Sequence, residues 1–158
     1  MSSTSERPRF RAFRLRDSIF TTVLTSGDET GGRHDVTDTY QTAGSRTPLH
    51  VHTRYDERFW VVEGTLHVWA GDDVLTLRSG DFLAVPMGTP HALMTGPTGC
   101  RALQVSSPAG FAELIMRSGI PENAGTDFEP EPFADVSAEL GDIVLGPPGT
   151  IPADLTSK

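Results

Sequence analysis

Short runs of β-branched and aromatic residues follow one another from Ile19 to Val105, each cut off by a turn signal: Ile19–Leu24, His34–Tyr40, His50–His52, Arg58–Val62, Thr65–Trp69, Val74–Leu77, Phe82–Val85, His91–Met94 and Arg101–Val105. Gly71-Asp72 and Gly80-Asp81 separate two of these pairs, and the loop 25–32 and the turn 44–48 separate others. Many short strands at close spacing predict an antiparallel sandwich or barrel. No internal repeat is visible, so one such unit is expected. Beyond Pro108 the pattern changes. Gly110–Gly119 reads as an amphipathic helix with Phe111, Leu114 and Ile115 on one face and Gly119 as its stop. A Pro- and acid-rich linker occupies 121–132, a second short helix is expected over Phe133–Leu140, and Ile143-Val144-Leu145 leads into Gly146-Pro147-Pro148. The expected fold is mainly β, with two short C-terminal helices.

His50 and His52 lie two apart in an extended segment. Side chains at i and i+2 of a strand share a face, so both imidazoles point the same way. Glu57 follows at the head of the apolar run Phe59-Trp60-Val61-Val62, and His91 offers a third imidazole. Three imidazoles and one carboxylate form a mixed nitrogen and oxygen set. It suits Fe, Mn, Ni, Co, Cu or Zn and disfavours Ca, which prefers oxygen cages. A five- or six-coordinate ion would leave positions open for water, substrate or O2, whereas tetrahedral zinc with four protein ligands would be closed.

These residues carry a resemblance to the cupin family. Gly44, His50, His52, Glu57 and Gly64 meet every position of its first motif, and Gly80, Pro86, Gly88 and His91 match the second, where Thr95 stands in place of the family's Asn. The resemblance implies an antiparallel β-barrel of jelly-roll type holding one divalent transition metal through His50, His52, Glu57 and His91. The expected organisation is a flexible tail at 1–9, a cupin domain at 10–148 (barrel core about 19–107, helical extension 108–148) and a tail at 149–158. The Pro-Ala-Gly-Phe turn into a helix, the second helix ending in Gly and the Leu-Gly-Pro-Pro closure resemble small single-barrel cupins grouped with quercetin 2,3-dioxygenases. The implied function is a metal-dependent dioxygenase that uses O2 on a small aromatic or enolic compound, with Glu57 as proton acceptor. A non-redox cyclase, isomerase or lyase of the polyketide-cyclase kind is the alternative, and a ligand-binding or sensing cupin without turnover is a further one. Tyr40, Phe59, Phe82, Met87, Leu93, Gln104 and Phe111 are the expected substrate-pocket residues. His67 reads as an ordinary strand histidine and His34 as a solvated strand-entry residue.

The net charge of −8 argues against a general nucleic-acid binder. Residues 1–17 nevertheless carry a net +3, five arginines against Glu6 and Asp17, which leaves −11 on the remainder. Arginines alternating with Phe10, Phe13 and Leu15 suit an edge strand packing on a partner. Cys100 is the only cysteine, which excludes an intrachain disulfide and fits a reducing, cytoplasmic compartment. No apolar run approaches membrane-spanning length. Phe59–Val62 lacks alternation, so burial of both strand faces is expected, the outer one under the N-terminal segment of this chain or of a partner; the cupin resemblance implies a partner, and with it a homodimer.

Overall fold

Two long antiparallel strands organise the chain in a computed structural model that describes residues 11–157. The expected tail at 1–9 lies outside the described residues. Strand β5 (Asp56–Ala70) runs against β8 (His91–Ser107), in register from Asp56 opposite Ser107 to Ala70 opposite His91. The sequence pattern predicts each as two shorter strands. Gly64 and Gly99 bend the ladder instead of ending it, with φ of 81° and 77°, and the register shifts between Val61 and Glu63 and again between Gly64 and Leu66. A bulge adds a residue to one strand and so exchanges its faces. Inward positions of β5 are accordingly odd before Gly64 (Glu57, Phe59, Val61) and even after it (Leu66, Val68).

Around this pair, β6 (Asp73–Arg78) and β7 (Phe82–Val85) flank β5, while β4 (Leu49–His52) and β3 (Asp35–Gln41) flank β8. The sheet continues from β3 to β2 (Ile19–Thr25), β1 (Arg11–Leu15) and the two-residue β9 (Ile120–Pro121). The ten-stranded hydrogen-bonded sheet does not close on itself; its arrangement is that of a jelly roll. Phe59, Val61, Leu66, Val68, Leu77, Val85 and Leu93 fill the inner face. The apolar positions of β1 point inward as well. Phe13 and Leu15 pack with Val23 against Ala112 and Ile115 of helix α1 (Phe111–Ser118), and β9 covers the outer side of β1. This arginine-rich strand is therefore built into its own chain instead of waiting for a partner.

Helix α1 starts where the buried Asp35 carboxylate accepts hydrogen bonds from the Gly110 and Ala112 amides, at 2.7 and 3.0 Å. After α2 (Phe133–Glu139), the segment expected only as a lead-in forms strand β10 (Asp142–Gly146), paired with β4. A 3-10 turn follows at Pro152–Leu155, within the expected tail. Trp60 and Val62 face outward and are 55% and 37% exposed, so only one face of that run is buried within the chain. No helix among the described residues is long and apolar enough to cross a membrane.

Candidate metal centre

His50 and His52 leave β4 on one face, as strand parity requires, with ring centroids 4.8 Å apart. The ladder pairs His50 directly with His91 at the start of β8, which brings those rings to 4.2 Å. Glu57 enters from the start of β5. One ligand atom from each of the four lies within 4.8 Å of the others. Two donors about 2.1 Å from a common ion stand at most about 4.2 Å apart, so shifts of a few tenths of an ångström would satisfy a transition metal.

The hydrogen bonds behind the rings decide which nitrogens are offered. Nδ1 of His50 meets the Pro48 carbonyl at 2.7 Å, Nδ1 of His91 meets the Thr89 carbonyl at 2.9 Å, and Nδ1 of His52 meets Asp142 Oδ1 at 2.6 Å. Carbonyl and carboxylate oxygens only accept, so each Nδ1 carries the proton and Nε2 is left for the centre. Glu57 Oε2 lies 3.0 Å from His52 Nε2 and 3.2 Å from His91 Nε2. These contacts set lone pairs against a carboxylate unless a cation, either a proton or a metal ion, sits between them. The donor set therefore fits a divalent cation.

Electrostatics points the same way. Burial, aided by the neighbouring imidazoles of His91 and His52, pushes His50 down to about 4, so this ring is neutral at pH 7. Burial opposes charge on His52 too, but the Glu57 and Asp142 carboxylates more than offset it and push that ring up to about 10. Glu57 is itself buried, yet the His52 charge and its hydrogen bonds to both imidazoles hold its carboxyl well below the usual range. In the absence of metal, His52 and Glu57 thus form an ion pair around a proton that a metal ion would displace.

Gln104 Nε2 donates to the other Glu57 oxygen at 2.7 Å. Expected as a substrate donor, this residue holds the carboxylate from a diagonal position across the β5–β8 ladder. Above the cluster lies a cavity of about 110 Å³, walled by Ile19, Leu93, Phe111, Phe133 and Val144 and carrying the Gln41 and Gln104 amides. Leu93, Gln104 and Phe111 are among its lining residues. Phe59 is packed in the core. Tyr40, Phe82 and Met87 do not line it and are 41%, 60% and 47% exposed. Tyr40 has the outward parity of β3, whereas its neighbour Gln41 points inward; Phe82 pairs with Trp60 on the outer face of β7 and β5. Tyr40 instead borders an outer groove of about 530 Å³ that holds none of the four candidate ligands.

Three residues at the site went unread in the sequence. Tyr55 stacks on His52, centroids 4.4 Å apart, with its hydroxyl buried. Gln41 lines the cavity with a buried, unpartnered amide oxygen, and Asp142 comes from β10. Parity with Thr37 and Thr39 was the available signal for Gln41; nothing local marks Asp142. Thr95, which departs from the family motif, latches the β3–β4 loop: its hydroxyl donates to the Thr42 carbonyl at 2.6 Å and accepts from the Ser45 amide at 2.9 Å. His67 contacts Thr76 at 3.1 Å, away from the cluster.

Comparison with known proteins is consistent with this geometry. Residues 37–106 match the cupin domain family. A quercetin 2,3-dioxygenase from Bacillus subtilis (strain 168) is 28% identical over 78% of this chain, and the match spans 39% of that protein, well under half of its length. Among solved structures, an RmlC-like cupin from Shewanella frigidimarina NCIMB 400 superposes with a TM-score of 0.56 at 22% identity, over 69% of this chain and 93% of its own. The polyketide cyclase RemF from Streptomyces resistomycificus superposes with a TM-score of 0.55 at 21% identity, over 83% and 89%. At these identities the structures speak for the fold alone. All four candidate ligands fall inside the family-matched segment, and the chain carries a cupin domain.

Proposed function

We propose that this chain is a metal-dependent enzyme in which His50, His52, Glu57 and His91 hold one divalent transition-metal ion, and that it acts as a quercetinase-like dioxygenase on a small aromatic or enolic compound. The observation that carries this reading is the convergence of the three imidazoles and Glu57, each ring with Nδ1 committed to an acceptor outside the cluster. The similarity to a quercetin 2,3-dioxygenase supports the choice of reaction. An ion held there would supply Lewis acidity that lowers the pKa of a substrate hydroxyl and, if redox-active, electrons for O2 chemistry.

The chain's own residues do the rest. Glu57, fixed through Oε1 by Gln104, keeps Oε2 beside the imidazoles, where it takes the proton of an enolic hydroxyl. Phe111, Phe133 and Leu93 exclude water from the reacting centre and offer apolar surface to an aromatic ring. The same buried base would also serve a non-redox cyclisation or isomerisation, since proton transfer by Glu57 needs no oxygen. The uncovered patch of Trp60, Val62 and Phe82 supports a homodimer through this face, and the lone buried Cys100 suits a reducing compartment.

The test is elemental analysis of the purified chain, followed by oxygen uptake with quercetin as probe. One equivalent of Fe, Ni, Mn, Co or Cu with metal-dependent oxygen uptake supports the dioxygenase. Bound metal with anaerobic turnover of an enolic substrate moves the assignment to the non-redox reaction. No metal binding under excess divalent ions removes both. Sedimentation that shows a monomer at micromolar concentration would remove the dimer.

A further inference from the structure

The three rings of the cluster are not oriented by the same kind of partner. His50 and His91 are each held by the carbonyl two residues before them, Pro48 and Thr89, so the local strand entry fixes both. His52 is held by Asp142, ninety positions later, through a 2.6 Å contact between side chains. Asp142 lies outside the segment that matches the cupin domain, on a strand built by the C-terminal extension. Its carboxylate is 4% exposed and sits directly opposite His52 in the β4–β10 ladder. Ser137 of α2 donates to the second oxygen at 2.8 Å, so both carboxylate oxygens are held. The extension is also fastened beside the site: the Thr53 amide and hydroxyl both donate to the Gly141 carbonyl, and Arg54 Nη1 donates to the Glu139 carbonyl at 2.8 Å.

From this arrangement we infer that Asp142 is a positioning residue for the metal centre, and that seating of the segment 133–146 sets the affinity of the site for its ion. This rests on the metal-binding reading above. A carboxylate can only accept, so it fixes the proton of His52 on Nδ1 and turns Nε2 to the centre. Its negative charge also strengthens that nitrogen as a ligand. An amide in its place can present NH2 to Nδ1, which would move the ring proton to Nε2 and block the ligand atom. Tyr55, stacked on the same ring, limits rotation in the other direction. The site thus completes itself only when the C-terminal strand pairs with β4.

The experiment is Co2+ titration of the metal-free, full-length protein, read by visible absorption and chelator competition, with no turnover involved. Asp142→Asn should weaken Co2+ binding about 10- to 100-fold and alter the ligand-field bands, because one imidazole is lost or misaligned. Thr53→Val, which loosens the same strand without touching His52, should lower the thermal midpoint and leave the Co2+ spectrum of the bound form unchanged. If Asp142→Asn does not fold, Ser137→Ala carries the test and should show a several-fold loss. Wild-type affinity and spectrum in Asp142→Asn, or in Ser137→Ala where that variant carries the test, would overturn the inference while leaving the metal reading intact. A wild-type chain that binds no Co2+ would remove both together.

Discussion

Replacing Gln104 by leucine tests how the candidate centre is held. The Gln104 amide donates to Glu57 Oε1 at 2.7 Å, and both side chains are almost fully buried. Leucine is close in volume but has no donor, so the change removes one charge-assisted hydrogen bond and leaves a carboxylate oxygen facing apolar carbon. Such a bond contributes about 1.5–3 kcal/mol. For a chain of this size that corresponds to a drop of roughly 3–12 °C in the thermal midpoint of the metal-free protein. The rotamer that presents Oε2 to the imidazoles is no longer enforced, so metal affinity should fall as well. At about 1.4 kcal/mol per decade, the same range predicts a loss of about 10- to 150-fold. Differential scanning calorimetry and Zn2+ competition against a chromogenic chelator measure the two effects separately. A Gln104→Leu protein with an unchanged midpoint and unchanged Zn2+ affinity would refute the argument that this amide holds Glu57.

Asp35→Ala should cost about 2–3 kcal/mol in urea unfolding, because the Gly110 and Ala112 amides at the start of α1 lose their shared acceptor. Burial pushes the Asp35 carboxyl above its ordinary value, although the Ala112 and Gly110 amides oppose the shift. The stability this group contributes is therefore fully present below the unfolded value near 3.8 and is lost as pH rises through the folded value. Wild type should lose stability relative to Asp35→Asn as pH is raised from 4, and the opposite slope would contradict the assignment. Gly64→Ala should destabilise by at least the roughly 1–2 kcal/mol of a left-handed non-glycine residue, with more from the strike of its Cβ on the Gly99 carbonyl. Denaturant melts that place Gly64→Ala within 0.5 kcal/mol of wild type, about the scatter of a neutral surface change, would contradict the packing described for that bend.

The recurrence of short β-rich runs, the turn signals and the amphipathic helix after Pro108 were enough to read a mainly β fold with a helical extension. They failed at Gly64 and Gly99. A glycine inside an extended run signals an end and a bend equally well, and only the partner strand decides between them. The run Phe59–Val62 is legible only in part. Its lack of alternation suggests two covered faces, and within the chain one face is buried while Trp60 and Val62 stand exposed. In the same way, Tyr40 was expected in the pocket as a hydrogen-bond donor and Phe82 as apolar lining, and strand parity turned both outward.

The convergence of His50 and His52 follows from the two-residue period of a strand, and the sequence also contained the glutamate and third histidine that join them in space. Those are properties of residue type and short spacing. What the chain order could not contain is which remote groups reach behind these ligands. Gln104 meets Glu57 only because two strands pair in one register, and Asp142 meets His52 only because the last strand returns to β4 after ninety residues. Hydrogen bonds of this kind depend on register and sheet topology, which are settled by burial across the whole molecule. Local spacing therefore chose the ligand residues and, through the Pro48 and Thr89 carbonyls, two of the tautomers, whereas tertiary pairing chose the tautomer of His52 and the orientation of Glu57.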